Sequence, residues 1–211
     1  MCHVYYTRGL RFREDGLRLR AAGLIFACKR PYRNGIYKVK NKMKKNYIYA
    51  CVEELIEKYN TSDPFELMDA LDIHCESSNL EHLKGYCVII HGIKFIAINE
   101  NLRPAERKIV AAHELGHIIL HSDKLKAAAH EDMNIYNIAD KTEYQANLFA
   151  ADLLLDDDEV DELAMQEGID FYTMARYLYT NPQLLGFKLF SMANRGYNYN
   201  FHIPPKSTFL A

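Results

Sequence analysis

Three features are missing from this 211-residue chain, and each absence closes off a class of protein. No apolar run approaches the roughly 18 residues that a membrane-crossing helix needs. The nearest, Ala21–Cys28, is short and is followed by Lys29 and Arg30 instead of a small-residue cleavage site, so it does not read as an export signal. Paired cysteine chemistry is also missing. The five cysteines (Cys2, Cys28, Cys51, Cys75 and Cys87) are odd in number, scattered and without a C-x-x-C. That usage fits free, mostly buried thiols in a reducing cytoplasm. A strong net charge is the third absence, but the total of −2 hides an asymmetry. Residues 1–42 carry 11 Lys/Arg against 2 acids, whereas residues 43–211 carry 15 against 26. An acidic main body argues against a nucleic-acid backbone as its principal partner.

What is present is a chain 49% hydrophobic, enough to bury one core with appendages. Residues 1–42 show no sustained helical or strand period and are expected to form a basic, poorly ordered extension. The folded domain is expected to begin at Met43, where MKKNYIYACVEELIEKY opens. From Tyr47 to Tyr59, Ile48, Cys51, Val52, Leu55 and Ile56 recur at helical spacing and predict an amphipathic helix. Asp63 and Pro64 read as the N-cap and first residue of a second helix that reaches Leu71. His74, Cys75 and Glu76 then read as loop. Tyr86–Ile90 and Ile93–Ile98 flank His91-Gly92 and predict a β-hairpin with a tight primed turn. Ile93–Ile98 is the strand expected to accept an extended substrate by strand addition.

The chemistry enters with His113-Glu114-Leu115-Gly116-His117, an H-E-x-x-H on a helix expected from Pro104 to His121. At about 3.6 residues per turn the two histidines stack on one face and can share one Zn²⁺. Glu114 is placed to take a proton from a water at the metal's open position. Gly116 is a costly mid-helix residue, by about 1 kcal/mol relative to Ala. Another backbone approaching closely there is the expected compensation. His121 is too far along the axis, about 12 Å from His113, to join the same metal. It reads instead as a histidine favoured by the negative end of the helix. Ser122–Lys141 is expected to be a loop with room for a short helix, and His130 and Tyr136 are candidate oxyanion donors.

A second helix, KTEYQANLFAADLLL, places Glu143, Asn147, Ala150 and Leu154 on one face. Glu143 can complete a His₂Glu set, because a buried carboxylate in this apolar setting needs a partner. Asn147, one turn on, is placed to hold a ligand in position.

HELGHIILH followed by E-x-x-AN-x-FAA-x-LL resembles the ImmA/IrrE family of zinc metallopeptidases. The upstream DPF helix start and the order G-x-x-V-I-I…I-A-I-N fit that family too, so the resemblance covers roughly residues 45–160. It implies an α+β, small gluzincin-like domain: an H-E-x-x-H helix, a β-hairpin or small sheet and a second ligand helix. It implies Zn²⁺ held by His113, His117 and Glu143, with Glu114 catalytic. It also implies, as protein partner, a helix-turn-helix repressor that is cleaved to relieve repression. The family usually continues LL-M-P where this chain has Leu154-Leu155-Asp156-Asp157-Asp158, which leaves open how the next helix begins. The expected organisation is an extension over 1–42, a metallopeptidase domain over 43–160 and a helical C-terminal module over 161–211. In that module Asp158–Glu167 predicts an acid-rich helix. Two short helices joined at Thr180-Asn181-Pro182 then imitate a helix-turn-helix, and Lys188 and Arg195 are a thin footprint for DNA. The rival readings are a zinc-fold protein that binds a repressor or antitoxin without hydrolysing it, and a DNA-binding regulator built on residues 170–196.

Overall fold

In the computed structural model, which describes residues 5–7, 10–12, 47–130 and 139–199, the chain divides into two units, Met1–Lys42 and Met43–Ala211. Within the first, β1 (Tyr5–Thr7) pairs antiparallel with β2 (Leu10–Phe12). The apolar run at Ala21–Cys28 lies outside the described residues.

The second unit opens with α1 (Tyr47–Tyr59), which buries Ile48 and Val52 on the face its periodicity marked. Helix α2 (Pro64–Ala70) starts where Asp63 accepts a hydrogen bond from the Phe65 N–H, with proline at the first helical position. Residues 73–78 depart from expectation. His74, Cys75 and Glu76 belong to a strand, β3 (Ile73–Ser78), not to a loop. Five of its six residues keep a side chain at least partly in solvent, so no hydrophobic alternation announced it. Its order comes from parallel pairing with β5.

The hairpin forms as expected from β4 (Gly85–Ile90) and β5 (Ile93–Asn99). His91 and Gly92 both adopt positive φ, 50° and 84°, as a primed two-residue turn requires. The sheet order is β3-β5-β4. Strand β5 is therefore paired on both sides, parallel to β3 and antiparallel to β4, and has no free edge for another chain. That overturns the expectation that Ile93–Ile98 takes up a substrate strand. The edge strand of the hairpin is β4.

Helix α3 (Pro104–His130) lies across the sheet and continues beyond His121, the end expected from sequence. His121 itself leaves helical geometry, with φ −129° and ψ 19°, so the chain kinks there and resumes. Residues 122–130 are consequently a continuation of α3, where a loop with room for a short helix was expected. Helix α4 (Ala139–Leu154) packs along α3, and Gly116 is the point of close approach. A Cβ at Gly116 would sit 3.0 Å from Cδ1 of Phe149. What approaches is a ring of α4, where a backbone was expected.

Helix α5 (Asp157–Ala164) begins without the proline usual in the family. Asp156 caps it, accepting from the Glu159 N–H at 3.0 Å. Helices α6 (Phe171–Tyr177) and α7 (Pro182–Asn194) are capped the same way by Asp170 and Asn181. Helix α7 buries eight of its thirteen residues and packs on α4. Its Lys188 is 1% exposed and paired with Asp152 and Asp157. Arg195 forks onto Asp157 and stacks 3.6 Å over the Tyr49 ring. Neither cation faces outward for a phosphate backbone, which removes the footprint of the DNA-binding reading. Among the described residues no helix is long and apolar enough to cross a membrane. Among the described residues the thiols are less buried than expected: Cys75 is exposed, and Cys51 and Cys87 are intermediate.

Candidate metal centre

One turn of α3 and the first turns of α4 bring three side chains to a point. His113 and His117, 3% and 9% exposed, present their Nε2 atoms 3.1 Å apart, with ring centroids 4.7 Å apart. Glu143 closes the triangle: Oε2 lies 3.2 Å from His113 Nε2, and Oε1 lies 3.2 Å from His117 Nε2. Among the described residues these three form a set that can hold one metal ion. Two bare ring nitrogens at this distance repel, and a cation between them removes the conflict. Donors around a tetrahedral Zn²⁺ with bonds of about 2.0–2.1 Å stand about 3.3 Å apart, close to the edges seen here. The residues fit the ion.

The tautomer is set from behind. Asn147 Oδ1 lies 3.0 Å from His113 Nδ1, so Nδ1 carries the hydrogen and Nε2 keeps its lone pair for the metal. Asn147 is fully buried, on the same face of α4 as Glu143 and one turn on. Burial alone would raise the Glu143 carboxyl, but the two histidine rings more than offset it and hold it well below the usual carboxylate range.

Glu114, 8% exposed, turns from α3 toward β4. A Cβ at Gly85 would lie 3.4 Å from Glu114 Cγ and only 2.6 Å from Val110 Cγ1. Gly85 is thus where α3 can lie on the strand and seat the glutamate beside it. Two residues on, on the same strand face, the Cys87 thiol is pushed far up by burial, then by the charge of Glu114. It stays protonated against that carboxylate. Neither residue stood out as a site residue from sequence. The G-x-x-V-I-I pattern contains Gly85, and its glycine is the one signal that marks the contact.

His121 is also buried, with its ring 5.6 Å from that of His117, but it lies outside the donor triangle, as its spacing implied. Its Nε2 has no hydrogen-bond partner among the described residues. Burial, then the neighbouring His117, lowers its pKa, so the ring is held neutral. A cation favoured by the end of a helix is not what it is, since α3 resumes beyond it. Tyr136 and the His130 side chain lie outside the described residues.

Two buried imidazoles, a carboxylate and a neighbouring glutamate on a small α+β fold are the features of a metallopeptidase domain. Comparison with known proteins makes the assignment specific. Residues 69–189 match the family described as the IrrE N-terminal-like domain, and the chain belongs to this ImmA/IrrE metallopeptidase family. Among curated proteins it is similar to an uncharacterised immunity region protein of Bacillus phage phi105. Identity there is 39% over 120 residues, covering 56% of this chain and 75% of that one. It is also similar to the metallopeptidase ImmA of Bacillus subtilis, at 30% identity over 157 residues, covering 70% and 89% respectively. Among solved structures it is similar to a Mycobacterium tuberculosis transcriptional regulator. The TM-score is 0.48 at 15% identity, and the match covers 68% of this chain but only 46% of that one.

Proposed function

We propose that this chain is a zinc-dependent, gluzincin-like endopeptidase that acts in the cytoplasm on a helix-turn-helix repressor and so relieves repression. The observation that carries the reading is the donor triangle of the buried His113 and His117 and the partly exposed Glu143, with Glu114 beside it. A zinc ion held there supplies Lewis-acid polarisation of a scissile carbonyl and acidification of a water. Asn147 fixes the His113 ring so that its free nitrogen faces the ion. Glu114 takes the proton of the attacking water on its carboxylate and passes it to the departing amine. A pure binding protein has no use for a base at that position. The β4 edge beside Glu114, which no strand pairs among the described residues, supports an extended substrate bound by strand addition. The repressor as substrate rests on the family resemblance and on the phage relative, whose name places that protein in an immunity region.

The test is a purified helix-turn-helix repressor incubated with the wild-type chain and with Glu114→Gln, both loaded with zinc. Wild type yields two fragments. The variant retains one equivalent of zinc by elemental analysis and yields none. A variant that still cuts removes Glu114 from its role, and a stable uncut complex with wild type makes the chain a binder.

A further inference from the structure

We propose that His121 is a positioning residue for Glu143: its ring ties α3 to the α4 backbone just before that ligand, and zinc affinity depends on the tie. The inference rests on reading His113, His117 and Glu143 as metal ligands.

His113, His117 and His121 recur four residues apart on one face of α3, and all three are buried. The first two turn Nε2 toward the Glu143 carboxylate, each 3.2 Å from one of its oxygens. The third lies a turn further on, its ring 5.6 Å from that of His117 and tilted 55° to it. There it meets α4 at the backbone of Thr142, the residue before Glu143, with a hydrogen bond. That bond favours the protonated ring, so the partner is the Thr142 carbonyl. Since Nε2 has no partner among the described residues, the donor is the Nδ1–H. A second bond, to Leu120, stays within α3. The break in α3 falls on this same residue, so the helix yields where the ring makes its bond.

Burial sets the value of this contact. His121 is 7% exposed, and a buried ring nitrogen without a partner is a cost that an apolar side chain avoids. At a position that served packing alone, leucine would do better. What the histidine adds is an N–H that reaches the neighbouring helix.

The place of the bond gives it leverage. From Ala146 to Leu153 every residue of α4 is buried, whereas over 141–145 only Thr142 is. The contact of Phe149 with Gly116 secures the helix six residues beyond Glu143. The tie from His121 holds the end of α4 that packing holds least, one residue from the ligand. A metal site needs its donors placed within about 0.5 Å, and a carboxylate moves with its backbone.

The test uses the full chain and zinc alone, read by competition with a chromophoric chelator. His121→Leu and His121→Asn are nearly the same in shape, and the asparagine amide nitrogen stands where Nδ1 stands. His121→Leu is expected to bind zinc about tenfold more weakly, and His121→Asn to recover most of the loss. A packing role predicts the opposite order, because leucine suits a buried site better than asparagine. Unfolding of the metal-free chains by circular dichroism is expected to show His121→Leu at least as stable as His121→Asn. In a Glu143→Ala background the two variants are expected to bind zinc alike, since the tie acts through Glu143. Leucine binding zinc as tightly as asparagine, or a difference that persists without Glu143, overturns the inference. If the chain shows this coupling but leaves a repressor uncut, the peptidase reading fails and the inference stands. If it cuts the repressor while the two variants hold zinc equally, this inference alone fails.

Discussion

Replacing Gly116 by alanine sets two effects of known size against each other. Alanine is the better helix former by about 1 kcal/mol, so on propensity alone the change stabilises. The added methyl, however, would stand 3.0 Å from Cδ1 of Phe149 and 3.2 Å from both its Cβ and Cγ. Phe149 is fully buried on α4, within the core cluster, so its ring gives way only by displacing packed neighbours. Overpacking of that kind costs about 1–3 kcal/mol. The clash wins, and Gly116→Ala is expected to destabilise the metal-free chain by about 1 kcal/mol, a fall in Tm of about 2–4 °C for a chain this size. Relief comes by moving α4 away from α3. Since α4 carries Glu143 and α3 carries both histidines, the donor triangle opens and zinc binds more weakly. Thermal unfolding by circular dichroism reads the first effect, and competition with a chromophoric chelator reads the second. A Gly116→Ala chain with a raised Tm and undiminished zinc affinity would refute the close-approach argument.

Other consequences are read more directly. Asn147→Ala removes the acceptor behind His113 and is expected to lower zinc affinity about 10- to 100-fold in the chelator competition, with the fold retained. Lys188→Met leaves Asp152 buried without its nearest cation, and a loss of about 3–5 kcal/mol in denaturant unfolding is expected. Asp157 has a carboxyl that burial would raise, but Arg195 and Lys188 more than offset it and hold its pKa at about 2. A depressed folded value means stability that is complete above the unfolded value of about 3.9 and lost as pH falls through about 2. Asp157→Asn should therefore flatten the acid limb of the metal-free stability curve between those values, and an unchanged limb would show that Asp157 is not coupled to folding.

The clustering of the candidate site was legible in sequence because its parts lie on helices, where spacing alone fixes direction. His113 and His117 at i and i+4, and Glu143 and Asn147 at i and i+4, carry their geometry in their numbers. The capping of α2 and the primed turn at His91-Gly92 were equally local, and local chemistry decided them. What could not be read is what depends on partners far along the chain. Strand β3 shows no alternation because five of its six residues keep contact with solvent, and pairing with β5 alone makes it a strand. The extent of α3 escaped for another reason: a histidine before polar residues looks like a helix end, and a kink at His121 produces the same signal.

Sheet order is the long-range fact with the largest functional consequence. Chain order sets β4 before β5 and says nothing of which strand lies outside. Once the parallel crossover brings β3 to β5, the hairpin has one edge unpaired among the described residues, on β4. That edge adjoins Glu114, because Gly85 lacks the Cβ that would hold α3 away. A Gly85→Ala change is therefore informative in a way that mutation of β5 is not. The new methyl would meet Val110 at 2.6 Å and a carbonyl oxygen of Ala97 at 3.1 Å, so helix and strand must part. Glu114 rides on that helix. If the strand edge positions the substrate and α3 positions the base, Gly85→Ala should lower kcat far more than it lowers zinc affinity, since both histidines and Glu143 lie on the two helices and not on the strand. Equal losses in kcat and zinc binding would mean that the strand supports the metal centre as a whole, and the separation of roles between edge and helix would fail.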